Sequence, residues 1–233
     1  DGDDYISGLN IQRNTLNHKI GMGLIHGGDD FRSNLGFYRR TGFLKLTPEY
    51  TFRLYPKNPE ITSYSFMQRG FFVSDTARDY LMTERVFIST IQKRFLNTSS
   101  FSIQYINRYI YLVSDFDPTR SFEGANLPAN SDYSYGDVEF GYRSDRRKIF
   151  NIDSKISYGT FFNGTKLTFE NEFNWRKQPI VNESFIVNFN SIKLPNPYPS
   201  KNIWLISPKI DFNCFKLSTS TVIFRPFLIL IAF

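Results

Sequence analysis

Apolar and polar residues alternate with a period of two along most of the chain. In 16–25, Leu16, Ile20, Met22 and Leu24 fall on one side and Asn17, Lys19, Gly21 and Gly23 on the other. In 43–55, Leu44, Leu46, Tyr50, Phe52 and Leu54 oppose Lys45, Thr47, Glu49, Thr51 and Arg53. Segment 99–113 places Phe101, Ile103, Tyr105, Tyr109, Tyr111 and Val113 together, with Ser102, Gln104 and Arg108 beside Ile106 and Ile110 on its other face. Segment 137–143 sets Val138, Phe140 and Tyr142 against Asp137, Glu139 and Arg143. Successive strand side chains point to opposite faces, so each stretch predicts a strand with one apolar and one polar face. Segments 61–73 and 79–93 alternate less cleanly and are also assigned as strands. No window of 11 or more residues keeps a helical stripe.

Segments 150–158 and 165–176 predict a hairpin. Phe150, Ile152, Ile156 and Tyr158 form one apolar set, and Leu167, Phe169, Phe173 and Trp175 the other. Asn163-Gly164 between them suits a two-residue type I′ turn, which needs positive φ at both loop positions. That turn would set Phe162 opposite Thr165, Ile156 opposite Asn171, and Lys155 opposite Glu172. A slip by one residue would exchange the faces. The same parity rule carries the chain through Ser144–Arg146, with Phe140 beside Phe150 and Glu139 beside Asn151. Through Lys177–Val181 it keeps Trp175 and Phe185 on one face. Longer interruptions fall at 27–30, 55–60, 115–130 and 195–200. The pattern predicts an all-β, antiparallel up-and-down arrangement of about 10–12 strands, many about 9–14 residues long, against the 9–11 that a tilted membrane strand needs. A soluble sandwich also alternates, so alternation alone leaves both architectures open.

Composition narrows the choice. Phe (25), Tyr (14) and Trp (2) make up 18% of the 233 residues, which excludes a disordered chain. Net charge is +6. The single cysteine, Cys214, forms no internal disulfide, and His18 and His26 leave little imidazole chemistry. No run is long enough for a transmembrane helix. The opening DGDDYISG has neither Met nor a signal-like run, as expected of a processed chain or an internal piece of a longer one.

Face chemistry leans toward a membrane barrel. Tyr55, Tyr109, Tyr111, Tyr142, Tyr158 and Trp175 lie near strand ends, where outer-membrane barrels carry aromatic girdles. Phe140, Phe150, Ile152, Ile156, Phe169, Phe173 and Trp175 are assigned to lipid. Glu139, Asp153, Lys155, Lys166, Glu170, Glu172 and Arg176 are assigned to a wet interior.

Two stretches resemble the C-terminal β-barrel domain, of unknown function, of Bacteroidota-type outer-membrane proteins that carry an N-terminal domain similar to family 9 carbohydrate-binding modules. In 29–58 the similar phrase is Asp30-Phe31, Gly36-Phe37 and Arg39-Arg40, followed by Gly42 and a strand. In 132–176 it is a strand, a short basic turn, a strand ending Gly159-Thr-Phe-Phe-Asn-Gly164, and a strand ending Trp175-Arg176. The resemblance covers most of 15–222 and implies a single barrel domain over 1–233, whole or truncated, in a bacterial outer membrane. Lipid would be its partner, and carbohydrate would enter only through the missing N-terminal domain. The tail 224–233, FRPFLILIAF, is apolar on both faces and departs from the family pattern.

Other constellations have plainer explanations. DGDD (1–4), GGDD (27–30) and Asp115/Asp117 offer oxygens suited to Ca²⁺ but lack a complete loop pattern, so no metal is expected. Glu170 and Glu172 share a face, about 7 Å apart by strand rise, as in glycoside hydrolysis. Nearby Lys155, Lys166 and Arg176 read better as a charge ladder. No nucleophile-elbow, phosphate-loop or dinucleotide motif is present, so neither enzyme nor cofactor is expected. The basic residues are dispersed rather than clustered, so nucleic acid is not expected. The expected function is a non-enzymatic outer-membrane barrel domain that anchors a carbohydrate-binding-like module or passes a solute. The rival from another class is a soluble all-β carbohydrate-binding or carbohydrate-active module.

Overall fold

Backbone pairing joins the alternating segments into one antiparallel sheet. The computed structural model describes residues 5–30, 41–120, 124–177, 181–212, 223–224 and 229–232. Eleven strands follow one another in chain order: β1 (Ile6–Asn14), β2 (His18–Gly27), β3 (Phe43–Leu54), β4 (Ile61–Asp75), β5 (Leu81–Phe95), β6 (Ser100–Leu112), β7 (Ser131–Arg143), β8 (Phe150–Phe161), β9 (Gly164–Lys177), β10 (Val181–Lys193) and β11 (Lys201–Phe212). Two short pieces, β12 (Ile223–Phe224) and β13 (Ile229–Ala232), both pair with β11. A single 3-10 turn at Thr76–Arg78 is the one helical element among the described residues.

β1 to β11 each pair with their sequence neighbours, an up-and-down meander. The two edges are not joined: β1 pairs only with β2, so the described sheet is open rather than a closed barrel. Contacts run almost wholly between adjacent strands, and among the described residues no second layer covers either face. Of the tail, 229–232 lies along Ile203–Ile206 of β11, while the remainder falls mostly outside the described residues. DGDD at 1–4, Cys214 and the Phe31–Arg40 part of the family-like phrase also lie outside them.

Facing agrees with the alternation, but registers do not. At the β8–β9 hairpin Phe161 pairs with Gly164, Ile156 with Phe169 and Lys155 with Glu170. The loop is therefore Phe162-Asn163, two positions from the pairing that an Asn-Gly turn implies. Phe162 takes the positive φ (51°), and its ring is buried at the strand end. Gly164 is needed for a different reason: a methyl group there would overlap the Lys193 carbonyl oxygen and Leu194. Close backbone approach, rather than turn conformation, explains this glycine. At β7–β8, Phe140 pairs with Ile156 and Glu139 with Ser157, not with Phe150 and Asn151. The 144–149 connection is an ordered turn longer than the parity rule requires. Both shifts are even, so each side chain keeps its face. Register irregularities between Ile61/Ser63 and Val73/Ser74 account for the poorer alternation of β4 and β5.

β7 begins six residues earlier than its alternation indicated, because polarity inverts locally. Tyr133 and Tyr135 lie on the otherwise charged face and Ser134 on the aromatic one. Ile110, Leu112 and Phe161 invert the same way, and all join a small cluster with Phe162 and Leu127. Leu127 comes from the long β6–β7 connection, which folds back through the Phe116–Leu127 bridge and leaves Leu127 fully buried.

Gly164→Ala tests this register. It should destabilise the folded chain by about 1–3 kcal/mol through overpacking, read as a lower unfolding midpoint. An Asn163-Gly164 turn would instead make the glycine a φ requirement, with no contact to the 193–194 backbone. Adding Leu194→Gly, which removes one of the obstructing side chains, should therefore relieve part of the Gly164→Ala penalty only in the observed register.

Candidate functional site

Two faces with opposite chemistry define the candidate site. Cross-strand partners share a face, so rows can be read across the sheet. On the aromatic face, Tyr142 and Phe101 are opposed, then Phe140 and Ile103. Phe140 continues to Ile156 and on to Phe169 and Phe189. Phe150 lies beside Trp175, and Ile152 beside Phe173. All seven residues assigned to lipid lie on this face. The girdle residues divide between the two rims: Tyr142 and Trp175 near the short turns, Tyr109, Tyr111 and Tyr158 toward the long connections. Tyr55 follows β3 at the short-turn rim, where its hydroxyl donates to the Leu16 carbonyl at 3.4 Å.

The charged face holds an ion-pair ladder. Lys19 and Arg69 flank Glu49. Arg108 pairs with Asp137. Lys155 Nζ lies 3.6 Å from Glu139, and Arg143 Nε donates to Asp153 at 2.7 Å. Lys155 therefore joins Glu139 on β7 as well as facing Glu170 on β9, rather than Glu172 as the sequence suggested. Glu172 faces Asp153, and Arg176 lies toward the rim, its Nη1 donating to the Arg146 carbonyl at 3.1 Å. Lys166 sits over the Phe161 ring at 5.4 Å. One recess of about 260 Å³ lies among Arg108, Tyr135, Asp137, Lys166 and Glu170. A second, of about 310 Å³, lies among Arg143, Asp153, Lys155, Glu172 and Asn188. Both are lined by charges of alternating sign, which hold water and counter-charges rather than a buried apolar ligand.

Burial is inverted relative to a water-soluble sheet. Phe140 is 54% exposed, Tyr158 60% and Ile91 58% on the aromatic face, whereas Ile106, Tyr135 and Ile192 on the charged face are below 10%. Buried Thr51, Thr90 and Asn151 also belong to the charged face. Exposed aromatic area on this scale far exceeds the patches that soluble monomers leave bare.

Alternation missed two cations, Arg85 and Lys93, which stand on the aromatic face of β5. Arg85 lies 5.7 Å from the Phe87 and Tyr109 rings, and Lys93 lies 4.8 Å from Phe95 and 5.7 Å from Tyr64. Both occur toward strand ends; a lysine such as Lys93 can lay its stem on apolar surface and lift its charge clear, whereas Arg85 Nε is buried without a hydrogen-bond partner. Mid-strand polar groups on that face bond one another: Ser89 to Gln68 at 2.9 Å and Ser154 to Asn171 at 2.6 Å. The acidic residues considered for Ca²⁺ serve their own loops. Asp115 accepts from the Ala129 amide, Asp117 from Thr119, and Asp29 from the Thr76 hydroxyl. His18 Nδ1 lies 3.1 Å from the Tyr50 hydroxyl.

The β7–β8 turn is organised around Asp145. Its carboxylate accepts from the Arg147 amide, Nε and Nη2 at 2.9, 3.0 and 3.1 Å, and from the Thr98 hydroxyl at 3.2 Å. The Arg147 side chain chiefly, then its amide, lowers the Asp145 carboxyl from 3.8 to about 2.

Comparison with protein-family models, curated proteins and solved structures yields no match. The two-faced sheet carries the functional argument.

A carboxyl whose folded value is depressed stabilises the fold at pH above its unfolded value and loses that contribution as pH falls through the folded one. For Asp145 the loss should run from about pH 4 down to about pH 2. Carboxyl titration by NMR should place Asp145 near 2, and Arg147→Gln should move it back toward 3.8. Thr98→Ala should move it less.

Proposed function

We propose that this chain is a non-enzymatic β-barrel domain, or part of one, of a bacterial outer membrane, with its aromatic face against lipid and its charged face against water. The inverted burial is the single observation that carries the reading. A soluble sandwich would cover the aromatic face with a second sheet; here that face stands bare and the charged face is the sheltered one. Strands of 12 to 15 residues in β3 through β9 exceed what a tilted crossing needs. The charged groups on the aromatic side, among them Lys93, Asp132 and Glu183, lie toward strand ends, and two pairs of its polar groups bond across strands, as a medium without water favours. The order of motifs in 132–176, similar to the Bacteroidota-type barrel domain, favours the same placement.

Connection lengths support one orientation within this reading. The connections 28–42 and 113–130 share one rim with 76–80, 162–163 and 194–200, while 15–17, 55–60, 96–99 and 144–149 form the other. Outer-membrane barrels place short turns in the periplasm and long loops outside, so the Leu127 rim faces outward. There the β6–β7 connection caps the charged face with the apolar cluster of Leu112, Leu127, Tyr135 and Phe162. A cap of this kind favours anchoring an attached surface module over a wide aqueous pore.

Facing is tested by arginine placement. Ile152→Arg or Phe169→Arg should impair membrane assembly by about 2–4 kcal/mol near the midplane, whereas Ser157→Arg and Thr168→Arg, on the charged face, should be mild. The readouts are retention in the detergent-requiring fraction and heat-modifiable gel mobility. Equal damage at both pairs, or a chain soluble without detergent, overturns the reading and favours the soluble carbohydrate-binding module. The cap makes a separate prediction: planar bilayers carrying the wild-type chain should show no large steady conductance. Leu127→Gly should raise the frequency of open events.

A further inference from the structure

We propose that the rim formed by the β3–β4, β5–β6 and β7–β8 turns binds the phosphate of anionic phospholipid headgroups. This rests on the membrane placement argued above and adds a lipid preference to it.

Three observations converge. First, the β7–β8 turn carries excess positive charge in a fixed arrangement. Arg143 and Arg146 both reach Asp153, at 2.7 and 3.3 Å, and Arg147 is clamped by Asp145. Arg176 donates to the Arg146 carbonyl, and Lys148 makes no ion pair among the described residues. Five cations thus meet three carboxylates, with Glu172 opposite Asp153 as the third. The turn is held by its own hydrogen bonds, including Ser144 with Ile152 and the Arg176 amide with the Ile149 carbonyl at 2.8 Å. The surplus guanidinium and ammonium groups are therefore presented without much ordering cost on binding.

Second, the same rim is apolar where it meets the aromatic face. Ile149, Phe150 and Trp175 are exposed beside the cations. A recess of about 500 Å³ lies between the three turns, walled by Pro59, Phe95, Leu96 and Arg147, with Glu60 and Asn97 completing it. A free phosphate ion has no use for these apolar walls, whereas a lipid places phosphate and acyl chain at one boundary. Third, the opposite rim carries more carboxylates than cations among the described residues: Asp29, Asp30, Asp75, Asp79, Asp115 and Asp117 against Arg78, Arg120, Lys193 and Lys201. The surplus of cations therefore lies at the short-turn rim, where a charged lipid surface attracts them as it does juxtamembrane basic segments.

The two tryptophans make the test direct. In Trp204→Phe, Trp175 alone reports from the short-turn rim. The full chain is reconstituted in vesicles containing brominated phosphatidylglycerol or brominated phosphatidylcholine at the same mole fraction, and Trp175 quenching is compared. The expected result is a preference of about fivefold or more for the brominated anionic lipid, weakened by salt. It should fall to near one in Arg146→Gln/Lys148→Gln and persist in Arg146→Lys/Lys148→Arg, with heat-modifiable mobility unchanged in both. Equal quenching by the two lipids overturns the headgroup proposal and leaves the membrane placement standing. No quenching by either overturns the placement and the proposal with it. Displacement of the preference by inorganic phosphate beyond that of chloride at matched ionic strength overturns a lipid as the occupant.

Discussion

Backbone hydrogen bonding between sequence neighbours is the constraint from which the other features follow. Each interior strand satisfies its N–H and C=O groups on both sides within the sheet, so neither face needs water to complete the backbone. In a medium without hydrogen bonds every backbone polar group must be satisfied internally, and the interior strands of this sheet meet that condition. What remains to be satisfied is side-chain polarity, and the chain sorts it by parity. Most mid-strand ionised groups go to the face where Glu49, Asp137, Glu139 and Asp153 each find a cation. Several exceptions on the aromatic face have partners: Gln68 with Ser89, Ser154 with Asn171, and Arg85 and Lys93 over rings. Exposed ion pairs contribute little each, so the ladder's value lies in keeping like charges apart across closely spaced strands.

Parity was legible in the sequence because it is a local property, and every residue from Glu139 to Arg176 that alternation assigned lies on its expected face. Register was not, and the reason is arithmetic. A slip by one residue exchanges the faces, but a slip by two, as at Phe162-Asn163, or by six, as at 144–149, leaves every side chain where it was. Nothing in the hydrophobic pattern separates those alternatives. They are decided by contacts distant in sequence: Gly164 against the Lys193 carbonyl, Phe162 against Leu127, Thr98 on Asp145. Asn163-Gly164 is a sound local signal that lost to a tertiary one, since a two-residue loop with Phe162 at positive φ is tolerable once its ring is buried.

The cap shows the same limit from another side. Ile106 and Ile110 looked anomalous on a polar face, and Tyr133 and Tyr135 hid the start of β7. Ile110, Tyr133 and Tyr135 belong to one feature: they pack with Leu127 where the β6–β7 connection returns to cover them. Leu127 itself carries no sequence signal, because a lone leucine in a polar connection is commonplace. The consecutive inversions on β6 and β7 were the available clue, and they mark a place where a loop supplies what a second layer would.

The two rims then differ for a single physical reason. One must hold a long connection over the sheltered face, and does so with apolar packing and carboxylates that tie loop amides, as Asp115 and Asp117 do. The other has only short turns, which leave no loop to fold inward and little for an excess cation to pair with. Asp145 illustrates the consequence: its carboxylate is fully engaged in shaping the turn, with Arg147 and Thr98 as donors, so it cannot also neutralise Arg146 or Lys148. Charge left over by turn geometry stands beside the exposed rings of Phe150 and Trp175, the combination of aromatic rings and cations that the proposed membrane boundary would need.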